Sequence, residues 1–334
     1  MLTSERLRNY LPLFEGKCVV VVGDLYHDEY IMGKPSRISR EAPIVVLEYR
    51  SRRIVPGGAT APACNVVALG GKAYQLGVIG NDAPGSELLE ALSSRGVNID
   101  GCVVDYARPT TNKLRVVAEG DHIFPQQVAR IDHAVRTPIN GEVERQLVDY
   151  LRRITPQVDA ILFSDYKCGV VQERVIAAAL EVAAEYNTPI IVDSQGDLSN
   201  FRRCTLIKCN LQEAETYLGF ALENETIFAE AMNRLCSELQ AQVVVITRGA
   251  DGISVVDASG QYFHTPVAAP SEVFDVTGAG DAVIAVLALA WVAKVPLQDA
   301  THLANSAGQV VIQKLGNATI YRRDLDEELG KLRG

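Results

Sequence analysis

The sequence has no run of apolar residues long enough to cross a bilayer, which takes about 20 residues. The apolar run Ala282–Ala293 reads instead as a buried helix. There is no CxxC pair, and the seven cysteines are scattered. A disulfide framework or a zinc site is therefore not expected, and reduced buried thiols are. Clusters of Lys and Arg are missing, and the formal charge is −9, from 32 basic against 41 acidic residues. That balance argues against a nucleic-acid partner. Glu5, Arg6 and Arg8 occupy a first segment with no apolar stretch, so no secretory signal is expected and the cytoplasm is the expected compartment. Low-complexity tracts, long linkers and internal repeats are lacking too. Neither a Gly-x4-Gly-Lys-Ser/Thr loop nor a complete dinucleotide fingerprint occurs, since Val283 stands where a third small residue would be needed.

What is present is a globular composition, 48% apolar and 22% charged. Short runs rich in Val and Ile, at Cys18–Val22, Ala160–Phe163, Pro189–Val192 and Val243–Ile246, predict strands buried on both faces. Between them, Glu142–Ile154, Gln172–Tyr186 and Ile227–Leu239 carry apolar residues at helical spacing. This alternation predicts one α/β domain: a mainly parallel sheet covered by helices. Ile44–Tyr49 and Thr111–Val117 alternate instead, and predict a small separate sheet that serves as a lid or a dimer contact.

The segment Asp275-Val276-Thr277-Gly278-Ala279-Gly280-Asp281 leads into the apolar helix. Gly278 and Gly280 let a ligand approach the backbone, and orphan amides at a helix start attract an anion. A carboxylate beside such a site repels a resting anion. Asp281 is therefore predicted to be a general base, taking the proton of an attacking hydroxyl as a phosphoryl group is transferred. The plain alternative is a glycine turn with a capping Asp.

This segment resembles the C-terminal signature of the ribokinase family, the phosphofructokinase-B-like carbohydrate kinases. Pro56-Gly57-Gly58-Ala59, leading through Asn65 to Leu69-Gly70, resembles the family's N-terminal signature. Other segments are similar to the heptose 7-phosphate kinases of that family, which act at the anomeric oxygen. They include Val22-Gly23-Asp24 through Asp28, Lys113-Leu114-Arg115, Arg130-Ile131-Asp132 and Ser164-Asp165-Tyr166.

The resemblance implies a ribokinase-like three-layer α/β/α fold. A lid sheet would come from about 30–56 and 105–130, and would make a homodimer. Catalysis would fall to Asp281 with the amides of Gly278, Ala279 and Gly280. Asp24, Asp28, Gly57, Gly58, Asn65, Lys113, Arg115 and Arg130 would meet the sugar or sugar phosphate. Asn210, Thr247, Gly249, Thr277 and Asn305 would meet ATP, and Glu213 with Asn210 would organise Mg2+; a monovalent cation is left open. Asp24 as a turn cap and Asn65 as a satisfied helix residue are the plain readings. Some heptose members carry a second, nucleotidyltransferase domain, and none is expected before Gly334.

The pattern departs from the heptose kinases at three places. Ala61 stands where an Asn directed at the sugar is usual. Lys167-Cys168-Gly169 displaces a lysine by one residue, and Ser194-Gln195-Gly196 replaces Pro-Lys-Gly. The acceptor end is therefore altered while the catalytic end is intact. A different sugar, a nucleoside acceptor, or a non-catalytic sugar- or nucleotide-binding regulator are the alternatives.

Overall fold

The computed structural model describes residues 4–120, 123–267 and 274–331. In chain order the strands are β1 (Cys18–Gly23), β2 (Leu25–Ile38), β3 (Val45–Gly58), β4 (Lys72–Gly80), β5 (Asn98–Asp105), β6 (Thr111–Gly120) and β7 (Ile123–His133). They continue with β8 (Ala160–Asp165), β9 (Ile190–Ser194), β10 (Leu206–Asn210), β11 (Val243–Thr247), β12 (Ile253–Asp257) and β13 (Tyr262–Thr265). The helices are α1 (Ser4–Arg8), α2 (Thr60–Ala68), α3 (Ala83–Ser93), α4 (Gly141–Ile154) and α5 (Glu173–Tyr186). After them come α6 (Leu211–Leu218), α7 (Glu225–Leu239), α8 (Ala279–Val292), α9 (Leu297–Ile312) and α10 (Arg322–Gly330).

The large sheet has the order β13-β12-β11-β10-β9-β8-β1-β4-β5. The pairings from β11 through β5 are parallel, and β12 pairs antiparallel with both β11 and the edge strand β13. Its layering follows from the side-chain alternation of a strand. Val19 and Val21 of β1 face a core that includes α8, apolar from Ala282 to Val292, and the inner side of α9. Val20 and Val22 face the opposite core, built from α4, α5 and α7. A run of valines is what a strand sandwiched between two helix layers requires.

The predicted helices are present, and their shifted starts have local causes. Asn224 accepts hydrogen bonds from the amides of Thr226 and Ile227, so α7 begins two residues before the apolar pattern does. Asn140 caps α4 in the same way.

The expected small sheet is four-stranded, in the order β3-β2-β6-β7. It begins at Leu25 and ends at His133, more widely than the alternating stretches suggested, because the half-buried parts of β2 and β3 do not alternate cleanly. Its far part exposes Ile38, Ile44, Val45, Tyr49, Val128 and Ile131. Among the described residues no helix is long and apolar enough to cross a membrane.

Candidate active site

The carboxyl ends of β8, β9, β10 and β11 point toward the small sheet, and a cleft of about 660 Å³ lies between the two. Strand ends of this kind form the ligand crevice of open α/β sheets. One wall is the start of α8. Gly278 has φ +84°, in the left-handed region. A Cβ there would also lie 2.1 Å from Asn317 Oδ1, so this position requires glycine. The helix has no side-chain cap. Thr277 turns its hydroxyl back to Asp275 Oδ1 at 2.7 Å, and Asp275 also accepts the amides of Thr277 and Gly316. The first turn of α8 is thereby left open toward the cleft.

Asp281 sits in this turn, 5% exposed. Burial pushes its pKa up to about 7, the neighbouring Asp193 and Asp28 adding to the rise and Tyr166 and Lys208 opposing it. Tyr166 donates its hydroxyl to Asp281 Oδ1 at 2.6 Å. On the floor, Lys208 Nζ lies 2.8 Å from both oxygens of Asp193. These two residues are partners in the β9–β10 register, so the pair is built into the sheet. Burial works against the Lys208 ammonium, but Asp193 more than offsets it and holds the pKa above its ordinary value.

The small sheet supplies the other wall. Arg115 pairs with Asp28 at 2.9 Å, both buried. Gly57 makes room for that carboxylate, since a Cβ there would lie 2.3 Å from Asp28 Oδ2. Lys113 lies 4.0 Å from the centre of the Tyr26 ring, and burial holds its pKa down.

At the far side Asn210 and Glu213 form a reciprocal capping box at the start of α6. Burial raises the Glu213 carboxyl. Thr247 and Gly249 lie beside it, and Arg248 reaches away to Glu225 at 2.6 Å. A mainly apolar pocket of about 420 Å³ adjoins the cleft, sharing Thr247, Gly249, Val276 and Gly280 with it; Ala279 and Asn305 line it. Asn305 donates its amide to Pro266 O at 2.9 Å.

The cleft and its pocket thus bring together Asp28, Gly58, Lys113, Arg115, Asn210, Glu213, Thr247, Gly249, Thr277, Gly278, Ala279, Gly280, Asp281 and Asn305. Four expected acceptor contacts are placed elsewhere. The Asp24 carboxylate is 1% exposed and accepts the amides of Tyr166, Cys168 and Val170. Burial nevertheless raises its pKa to about 6. Asn65 Oδ1 accepts from Ile320 N, tying α2 to the segment just before α10. Gly57 is filled by Asp28, and Arg130 pairs with Asp132 on the same strand.

Tyr166, Asp193 and Lys208 carried no assigned role in the sequence reading. Tyr166 lies just beyond the carboxyl end of β8 and Asp193 next to the end of β9, a positional signal, whereas Lys208 is the middle residue of β10 and carried none.

The match to known proteins agrees with this geometry. A profile described as "pfkB family carbohydrate kinase" matches residues 19–322. The chain belongs to the pfkB family of carbohydrate kinases. The enzyme class expected from the signatures, a phosphotransferase with an alcohol acceptor, is that of this family. Among curated relatives, the "Bifunctional protein HldE" of Geobacter metallireducens is 39% identical over 312 residues, 93% of this chain and 62% of that protein. The protein of the same name from Helicobacter pylori is 34% identical over 303 residues, 90% of this chain and 64% of its own length. The chain therefore spans about six-tenths of the length of these relatives. Among solved structures, phosphofructokinase-2 from Escherichia coli in complex with substrates and products superposes with a TM-score of 0.76 at 18% identity, covering 95% of this chain and 99% of the other. Ribokinase from Arabidopsis thaliana, complexed with ribose and ATP, gives 0.71 at 18% identity, covering 94% and 99%. These likenesses establish the ribokinase-like fold of this pfkB-family chain.

Proposed function

We propose that this pfkB-family chain transfers the γ-phosphoryl group of ATP to a sugar hydroxyl, with Asp281 as the general base. The observation that carries this reading is a buried carboxyl of pKa about 7 beside an uncapped helix start, inside a cleft between the two sheets. A base is most effective when its pKa is close to the working pH.

In this reading the adenine occupies the apolar pocket beside Asn305, and the phosphates run past Thr247 and Gly249 to the amides of Gly278–Gly280. The sugar lies under the small sheet, facing Asp28, Lys113 and Arg115. Asp281 takes the hydroxyl proton, and Tyr166 holds its carboxylate in place. Among the described residues no group of three or more His, Cys, Asp or Glu side chains could hold a metal ion. A single carboxylate at Glu213, with water and phosphate oxygens, fits Mg2+, which binds proteins through one or two carboxylates. Bound there, Mg2+ neutralises phosphate charge.

The acceptor is a heptose 7-phosphate phosphorylated at its anomeric oxygen, a reading supported by the segments around Asp28, Lys113-Leu114-Arg115 and Tyr166. The lysine displaced to 167 and the one replaced by Gln195 favour a different sugar as the second reading. The exposed apolar residues of the small sheet, Ile38 to Tyr49 with Val128 and Ile131, support a homodimer through that sheet.

The test is an ATP-consumption panel over heptose 7-phosphate, unphosphorylated sugars, fructose 6-phosphate and nucleosides. Phosphorus NMR then locates the new ester. Turnover of heptose 7-phosphate to the 1,7-bisphosphate is the expected outcome. Nucleotide binding with no ADP formed from any acceptor would refute the kinase.

A further inference from the structure

Four cationic side chains line the cleft: Lys113, Arg115, Lys208 and Arg248. Arg115 is held by Asp28, and Arg248 by Glu225 across the Phe228 ring. Lys113 lies over Tyr26 at the sugar end. Lys208 alone of the four stands under the first turn of α8. A Cβ on Gly280 would lie 3.0 Å from its Nζ, so a side chain at 280 would crowd the ammonium.

The kinase pattern leads one to expect a lysine at 195, where this chain has Gln195. The displaced Lys167 borders a neighbouring cavity with Gln195, Asp197 and Glu213 rather than the cleft floor. We propose that Lys208, on the strand next to the one that precedes Gln195, is the cation that grips the transferred phosphoryl group in this chain. This rests on the kinase reading and names a catalytic residue within it.

The surroundings support that role. A buried Lys–Asp pair contributes little net stability, because desolvation of both ions offsets their attraction. Its presence on the cleft floor therefore calls for another reason. An ammonium has three N–H donors. The two contacts with Asp193 take two of them and fix the side chain, which leaves the third for a phosphoryl oxygen. In the transfer, the acceptor oxygen forms a bond to the γ-phosphorus. The bond from that phosphorus to the bridging oxygen breaks, and ADP leaves with the electron pair. The hydroxyl proton goes to Asp281. Lys208 stays protonated throughout and balances charge on a non-bridging oxygen, a placement worth most in a water-poor site.

The experiment compares wild type, Lys208→Arg, Lys208→Met and the double variant Lys208→Met/Asp193→Asn, which removes both charges and leaves no buried ion unpaired. The acceptor is whichever sugar the wild type phosphorylates. Turnover of the double variant should fall about a hundredfold to a thousandfold, the usual loss for one transition-state donor. Affinity for ADP should hold within about threefold, while affinity for a non-hydrolysable ATP analogue should drop about tenfold, as expected for one charge-assisted contact. Lys208→Arg should keep part of the rate. A folded double variant with wild-type turnover overturns the assignment. Nitrogen-15 NMR of the lysine ammonium groups in the wild type gives a second measurement, independent of how the variants fold. The Lys208 signal should move with the ATP analogue and not with ADP, and an unmoved signal also overturns it. A wild-type protein that binds nucleotide yet phosphorylates nothing refutes the kinase reading itself. Wild-type turnover that survives loss of Lys208 refutes only the residue.

Discussion

Replacing Asp281 by Asn separates the catalytic and the energetic consequences of one buried carboxyl. The native environment raises its pKa from 3.8 to about 7. A rise of about three pH units corresponds to roughly 4 kcal/mol, at about 1.4 kcal/mol each. Below pH 4 the carboxyl is protonated in both folded and unfolded chains, and Asp and Asn should be equally stable. Between pH 4 and 7 the unfolded chain loses its proton while the native one keeps it, so wild-type stability falls. Above pH 7 the deficit is complete. Asp281→Asn should therefore be more stable than wild type by up to about 4 kcal/mol at pH 8, by less than about 1 kcal/mol at pH 4, and should have lost turnover by at least about a hundredfold. Urea unfolding at intervals from pH 4 to 8.5, alongside initial rates, measures both. A stability difference that stays flat with pH would refute the buried, raised carboxyl, and near-normal turnover would refute its role as the base.

Tyr166→Phe removes the hydrogen bond that favours ionised Asp281, so the acidic limb of the kcat/KM profile should move to higher pH while the plateau rate is largely kept; an unmoved limb rules out the contact. Asp24→Ala leaves the amides of Tyr166, Cys168 and Val170 without their acceptor, and at about 1–3 kcal/mol for each buried donor it should lower stability by several kcal/mol in denaturant titration. Arg115→Ala strands the buried Asp28 carboxylate, and should cost about 3–5 kcal/mol and raise KM for the sugar more than for ATP. Gly280→Ala pushes a methyl against the Lys208 ammonium, and should cut turnover with little change in melting temperature.

Four strands of the parallel core, β1, β8, β9 and β11, were legible because they are buried on both faces and so read as plain Val/Ile runs, as at Val19–Val22, whereas β4, β5 and β10, interrupted by Gln75, Asp100 and Lys208, were not. The antiparallel strands β12 and β13, the long β2 and the part of β3 beyond Tyr49 were not, since Ser254, Pro35 and Arg52 interrupt any period. The motif around Gly278 and Asp281 was legible through its chemistry, a glycine-lined helix start with an acid. What a side chain does when its neighbours come from distant sequence was not. Asp24 was expected at the sugar from the resemblance and because it follows a strand; in the fold its carboxylate accepts three amides of the segment after β8, which no sequence pattern announced. Lys208 had no reading in the sequence, and it is the strand register that places it against Asp193. Asn65 carried a family role in the sequence, and the fold uses it to hold Ile320.

Asp24 is the single residue between β1 of the body and β2 of the small sheet. Its carboxylate grips the stretch from Tyr166 to Val170, and the first residue of that stretch is the one bonded to Asp281. A pivot of the upper layer at this joint would pull on the tyrosine that steadies the proton acceptor. In the proposed kinase, closing over a sugar and aligning the base would therefore be mechanically one movement, and a loosened joint at 24 would be felt first as a disordered Asp281.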